Sequence, residues 1–218
     1  MDHLRSKFIV FDGGEGCGKS TQAAMLAERL TRENVQVLSV HDPGTTRVGG
    51  LIRQILLDPE NTDMNMRCEM LLYMAARAQM MSELILPALN EGKVVISDRF
   101  VSSTLAYQLG GDGLTAQEIR AVADVAIKRR WPDLTIILDM PLEKSAGRVR
   151  PKFSLFPDDP DAGAEKDRIE QRSIQYHQQV RKNYLEQAKL DPKRYRIIDG
   201  SRAPEQVHAD VYAAVNSL

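Results

Sequence analysis

Cysteine is nearly absent: the 218 residues contain only Cys17 and Cys68. Two cysteines do not make the disulfide framework of a small secreted domain. Cys17 also falls inside a glycine-rich loop, where a bridge would obstruct ligand approach. A reducing, cytoplasmic setting is therefore expected. No apolar run approaches the roughly 18 residues of a membrane span. Residues 1–7 are polar and lack the apolar stretch of a secretory signal, so no membrane partner is expected. An excess of one charge is missing too, with 29 Lys and Arg against 30 Asp and Glu. That balance argues against a broad basic surface for nucleic acid, though not against a local anion site. Internal repeats and low-complexity tracts are also missing. The chain is long enough to bury roughly 70% of its unfolded surface in one core.

Against these absences one stretch stands out. Phe8-Ile9-Val10-Phe11 is continuously apolar, as a strand covered on both faces requires. Gly13-x-x-x-x-Gly18-Lys19-Ser20 follows, and a helical pattern begins directly after it. This is the phosphate-cradling P-loop in its required strand-loop-helix context. Glycines let the backbone approach a ligand and turn its N–H groups inward, and the helix start adds unpaired N–H groups. Lys19 supplies a point charge for the outer phosphates, and the Ser20 hydroxyl suits magnesium. The stretch Gly13, Gly14, Glu15, Gly16, Cys17, Gly18, Lys19, Ser20 and Thr21 is thus read as a nucleoside triphosphate site with Mg2+. A P-loop alone does not choose between kinase, GTPase switch and motor ATPase.

Further along, short apolar runs at Val35–Val40, Lys93–Asp98, Leu134–Asp139 and Arg196–Asp199 alternate with helical patterns. Five strands joined by helical crossovers imply an α/β fold: a P-loop NTPase-type five-stranded parallel sheet with helices on both faces. Ligands in such sheets bind at the C-terminal strand ends, which gathers the P-loop, Asp42, Asp98, Arg99 and Asp139 around one crevice. A long helical pattern runs from Met66 toward Asn90, with Pro87 expected to kink or end it. Thr115-Ala116-Gln117-Glu118 reads as a capping box. Residues 150–164 break the composition with three prolines and several aspartates, and read as a mobile loop. Glu165 to Lys189 reads as a charged, mostly exposed helix. One domain over 1–218 is expected, with a mobile segment at about 147–166.

The GTPase base-reading motif Asn-Lys-x-Asp and the Asp-x-x-Gly switch are missing. Arg77, Arg99, Arg148, Arg150 and Arg168 instead form a set outside the P-loop, as an anionic phosphoryl acceptor would need. Tyr73 and Arg77 stand four apart on one helix and share a face, which suits stacking on and hydrogen bonding to a nucleobase. Arg99 follows a strand directly and suits bidentate phosphate contact. Asp98 either pairs with Arg99 or reaches magnesium through water. Gln108 can read a pyrimidine edge, with Ser103 and Thr104 adding hydrogen bonds, while Tyr107 either packs or lies against a sugar.

Several motifs in order carry a family resemblance: Phe-Asp-Gly-Gly-Glu-Gly-Cys-Gly-Lys-Ser-Thr (11–21), Asp-Pro-Gly (42–44), Leu-Leu-Tyr-Met-Ala-Ala-Arg (71–77), Ser-Asp-Arg-Phe (97–100) and Ser-Thr-Leu-Ala-Tyr-Gln (103–108). With Pro-Asp-Leu-Thr (132–135) and Asp-Arg-Ile-Glu (167–170), the chain resembles the bacterial thymidylate kinases from Lys7 to about Ser201. The resemblance implies transfer of the γ-phosphate of ATP to dTMP, within dTTP biosynthesis, by a homodimer. It implies dTMP contacts from Glu15, Asp42, Tyr73, Arg77, Arg99, Ser103, Tyr107 and Gln108, with Glu15 reaching the sugar 3′-hydroxyl. Lys19, Arg99, Arg148 and Arg150 would be catalytic, and Ser20 and Asp98 would serve the metal. Gly16 stands where some relatives place an arginine, which leaves Arg148 and Arg150 of the lid to supply that charge. Alternatives are a P-loop kinase for another nucleoside or monophosphate, or a non-catalytic nucleotide-binding module.

Three positions depart from the family pattern. Val40-His41-Asp42-Pro43-Gly44-Thr45 replaces Thr-Arg-Glu-Pro-Gly-Gly, so Asp42 is shorter than the usual acid and reaches magnesium less directly. Arg47 is the residue expected to compensate for His41. Phe153 to Ala164 is an acidic insertion in the lid, and Asp12 replaces a Glu.

Overall fold

A computed structural model describes residues 2–145 and 167–218. Its strands are β1 (Phe8–Gly13), β2 (Val37–His41), β3 (Val94–Asp98), β4 (Leu134–Asp139) and β5 (Tyr195–Asp199). They form one sheet in the order β2-β3-β1-β4-β5. All four pairings are parallel, with Phe8 level with Val95, Ile9 with Leu134, Val37 with Val94 and Thr135 with Tyr195. β1 is therefore central, and every one of its residues is buried.

The continuous apolar run of β1 has the expected cause. Phe8 and Val10 face a core shared with α3 (Met66–Met80), α4 (Leu86–Asn90), α5 (Val101–Tyr107) and α6 (Ala116–Ala126). Ile9 and Phe11 face the opposite core, with α1 (Lys19–Arg32) and α9 (Pro204–Asn216). A strand with helices on both sides has no polar face to offer water. The remaining helices are α2 (Arg47–Leu57), α7 (Leu142–Ser145) and α8 (Ile174–Leu190).

The structure tests three further expectations. The long helix does not break at Pro87. A π-helical turn spans Met81–Ile85 and hands over to α4, with Pro87 at the start of that helix. A proline has no N–H for the carbonyl four residues back and its ring crowds that carbonyl, and the wider i→i+5 turn sits where the conflict falls. The capping box at Thr115 and Glu118 forms as read, with both reciprocal bonds made. The helix expected from Glu165 begins only at Ile174, and it is not mostly exposed. Val180, Asn183, Tyr184, Gln187 and Ala188 are buried against the sheet and α5. Tyr184 completes the site described next. The segment expected to form a lid, about 147–166, lies outside the described residues.

Candidate active site

The loop between β1 and α1 is shaped by three glycines in positive-φ conformations, Gly13 at 135°, Gly16 at 67° and Gly18 at 94°. A side chain on Gly13 would strike the Leu138 carbonyl of β4. Beside Gly14 and Gly18 the space is open, so the loop presents backbone rather than side chain on that flank. Gly18 caps α1 without any side-chain bond to the first-turn N–H groups. Those groups, with the positive end of the helix dipole, form an anion cradle. Lys19 is nearly buried and curls back, its Nζ donating to the Gly14 carbonyl at 2.7 Å.

Ser20 and Asp98 meet at the end of β3, where the Ser20 hydroxyl donates to Asp98 Oδ2 at 2.5 Å. A hydroxyl and a carboxylate at the mouth of a phosphate cradle fit Mg2+, which prefers one or two protein oxygens and completes its shell with phosphates and water. Of the two roles open to Asp98, the ion pair with Arg99 does not form; its partner is Ser20.

Arg99 takes φ 69°, a left-handed conformation for a bulky residue. The turn is held by its neighbours: the Arg99 N–H donates to Phe11 O at 2.8 Å, and Ser97 Oγ donates to the Arg99 carbonyl at 2.6 Å. Such a backbone persists only where the surroundings over-determine it. Here it points the guanidinium across β1, where Nη2 pairs with Glu15 and Nη1 donates to Ser103 Oγ at 3.2 Å. Burial works against the Arg99 charge, but Glu15, Tyr107, Tyr184 and Asp12 outweigh it and hold its pKa above the ordinary value.

Asp12 is fully buried at the end of β1. It accepts from Ser102 Oγ, from Ser103 Oγ at 2.6 Å and from Tyr184 OH at 2.6 Å. This acid therefore ties β1, α5 and α8 together. Burial raises the pKa of Tyr184 and of Tyr107, so both phenols are donors. Tyr107 OH reaches Glu15 Oε1 at 3.1 Å.

Arg77 is 1% exposed, a buried residue rather than a surface one. Its Nε donates to Asp42 Oδ2 at 2.6 Å and its Nη1 to Thr104 Oγ1 at 2.7 Å. Burial pushes the Asp42 pKa up, and Arg77 opposes that shift. Asp42 thus pairs with Arg77. The Tyr73 ring lies 5.5 Å from the Arg77 guanidinium carbon. Gln108, also 1% exposed, donates from Nε2 to Glu69 Oε1 at 2.7 Å.

These side chains converge. Glu15, Asp42, Tyr73, Arg77, Arg99, Ser103, Thr104, Tyr107 and Gln108 line one cavity of about 120 Å³ that abuts the P-loop through Glu15. Every residue that the resemblance assigns to dTMP is in that wall. Near the loop after β2, Arg53 lines the cavity and donates to Pro43 O at 2.9 Å, while Arg47, the arginine expected to compensate for His41, is exposed. Arg168 points elsewhere, binding Leu56 O at 3.1 Å and Glu69 Oε2 at 2.5 Å. Arg148 and Arg150 lie outside the described residues. Glu69 escapes sequence reasoning altogether. It stands four residues before Tyr73, as Tyr73 stands before Arg77, and extending that helix face one turn back would find it.

Comparison with known proteins agrees with this geometry. The thymidylate kinase family profile matches residues 11–211. The chain is 41% identical over 212 residues to the thymidylate kinase of Halothermothrix orenii, covering 97% of each. It is 41% identical over 210 residues to that of Trichlorobacter lovleyi, covering 96% of this chain and 97% of the other. A crystal structure of thymidylate kinase from Ehrlichia chaffeensis superposes with a TM-score of 0.74 at 27% identity, covering 96% of this chain and 98% of that one. With a parallel P-loop sheet and an arginine-lined cavity beside it, this chain belongs to the thymidylate kinase family.

Proposed function

We propose that this protein is a dTMP kinase, a transferase moving the γ-phosphoryl group of ATP onto the 5′-phosphate of dTMP to give dTDP and ADP. The observation that carries the reading is the shared wall: Glu15 belongs to the phosphate loop and also lines the cavity that holds Arg77, Arg99, Tyr107 and Gln108. Donor and acceptor sites are thus contiguous, as direct transfer between two bound phosphates requires.

The chain's own groups divide the work. The backbone from Gly13 to Thr21 cradles the ATP phosphates, and Lys19 adds charge to the outer ones. Arg99, held in its turn, binds the acceptor phosphate. Tyr73 and Arg77 address the thymine ring, with Gln108 on its edge and Ser103 nearby. Glu15 and Tyr107, already bonded to each other, face the deoxyribose, Glu15 toward the 3′-hydroxyl. Ser20 and Asp98 would hold Mg2+, which supplies charge neutralisation between the phosphates when bound. Arg148 and Arg150, in the lid at about 147–166 of a single kinase domain, would add positive charge to the moving phosphoryl group and exclude water.

The same reading includes a cytoplasmic homodimer. The exposed apolar residues Leu51, Ile55 and Leu71 on α2 and α3 support a partner surface, and light scattering reads the mass. Both cysteines are free, in keeping with a reducing compartment. Among the described residues no helix is long and apolar enough to cross a membrane.

A coupled assay over dTMP, dUMP, dCMP, AMP, GMP and thymidine tests the function. Turnover is expected to be highest with dTMP. Silence with every acceptor, from folded protein with ATP and magnesium, would overturn the kinase reading.

A further inference from the structure

Gln108 is an ambiguous reader. Its amide offers a donor on one side and an acceptor on the other, and a flip exchanges them. The buried partner behind it removes the ambiguity. Glu69 is 0% exposed and lies 2.7 Å from Gln108 Nε2. A carboxylate only accepts hydrogen bonds, so the amide nitrogen must face Glu69 and Oε1 must face away from it. Its other oxygen pairs with two guanidiniums, Arg168 at 2.5 Å and Arg172 at 2.6 Å. A buried acid without such partners would be costly in its ionised form.

Arg77 cannot flip its polarity at all, because a guanidinium only donates. Asp42 takes Nε, and Thr104 and Met74 take Nη1, which leaves Nη2 without a partner among the described residues. Of these two base-reading side chains, Arg77 therefore offers the cavity a donor and Gln108 an acceptor. The O4 carbonyl and N3–H of thymine or uracil match that order. Cytosine presents an amino group and a bare N3, and mismatches both.

Resting on the dTMP kinase reading above, we infer that Glu69 is a specificity-determining positioning residue, which locks the Gln108 amide as an acceptor and so excludes cytosine-type acceptors. Glu69 touches no substrate in this scheme and acts only through Gln108. Arg168 and Arg172 pair with it and do not read the base.

The sharpest probe is 5-methyl-dCMP, which has the methyl group of dTMP and differs only in the polarity of its pairing edge. Wild-type enzyme is expected to favour dTMP over 5-methyl-dCMP in kcat/KM by at least about a hundredfold, since sites built around hydrogen bonds reject mispaired analogues strongly. In Glu69→Gln the new amide can donate to Gln108 and permit the flip, so the ratio should fall at least about tenfold. A purely structural role would lower both acceptors alike and leave the ratio intact. Arg172→Gln, which spares the Glu69–Gln108 bond, should keep the ratio even if both rates fall. In a Gln108→Leu background, Glu69→Gln should not change the ratio further.

An unchanged ratio in folded Glu69→Gln would overturn the inference. So would wild-type enzyme that turns over 5-methyl-dCMP as well as dTMP, a result that needs no variant to fold. Wild-type protein inactive with dTMP would instead sink the kinase reading itself.

Discussion

In the donor half of the crevice, from Gly13 to Thr21, the ligand-facing groups are mostly backbone N–H groups contributed by one continuous stretch. In the acceptor half they are side chains brought from the phosphate loop, the turns after β2 and β3, and α2, α3 and α5. The donor half needs little beyond local chain geometry, because glycine conformations and a helix start suffice to make an anion site. The acceptor half needs buried charge, and each buried charge needs a partner from a distant segment. Arg77 rests on Asp42 and Gln108 rests on Glu69, across 35 and 39 residues. Glu15 and Arg99 join the two halves, 84 residues apart. A backbone site is tolerant of most side-chain changes outside its glycines, whereas a site built from buried pairs is exposed to the loss of any one member.

That contrast can be broken by experiment. The largest effect belongs to Lys19→Ala, which removes the charged side chain of the donor half. Turnover should fall by about 10²–10³-fold, the scale of a lost charge-stabilising donor. The urea midpoint should stay near wild type, because among the described residues Lys19 bonds only to the Gly14 carbonyl and weakly to Cys17. Activity near wild type would mean that the loop does not hold the reacting phosphates.

Asp12→Ala comes next and probes the opposite property. It removes the acceptor shared by three buried donors, Ser102, Ser103 and Tyr184, of which the last two also meet each other at 2.9 Å. Stability should drop on the order of 3 kcal/mol by urea unfolding, since each orphaned buried group costs about 1–3 kcal/mol. The KM for dTMP should rise while the KM for ATP changes little. Equal rises in both would show that the two halves are not separable at β1.

The smallest effect compares the two cysteines, one inside the donor half and one outside the crevice. Cys17 sits buried in the loop and Cys68 lies exposed on α3. Burial raises the Cys17 pKa above its ordinary value, with Lys19 and Arg99 opposing, so its reactive thiolate is disfavoured. A disulfide reagent should modify the exposed Cys68 first. Cys17 should lag throughout. A fast Cys17 would mean that the loop opens far more readily than its packing implies.

The same division governs how much of the fold is legible in the chain alone. β4 and α9 fall where the apolar run and the Pro204 start place them, and β1 runs on from Phe8 through Asp12 to Gly13, because local chemistry alone defines such elements. The capping box at Thr115 is legible for the same reason. α8 is not, because its charged composition hides a buried stripe of Val180, Tyr184 and Ala188, four residues apart. Asn183 and Gln187 on that face are buried through bonds to Ala106 O and Ser102 O, which no local pattern announces.

Sequence by itself determined the P-loop, the sheet class and which residues gather at the cavity beside it, since periodicity, glycine spacing and motif order are local properties of the chain. Tertiary structure alone decided who holds whom: Asp42 on Arg77, Asp12 on Tyr184, Ser20 on Asp98 and Glu69 on Gln108. The physical reason is that burial makes a polar side chain depend on a partner, and the partner is chosen by packing across the fold rather than by position along the chain.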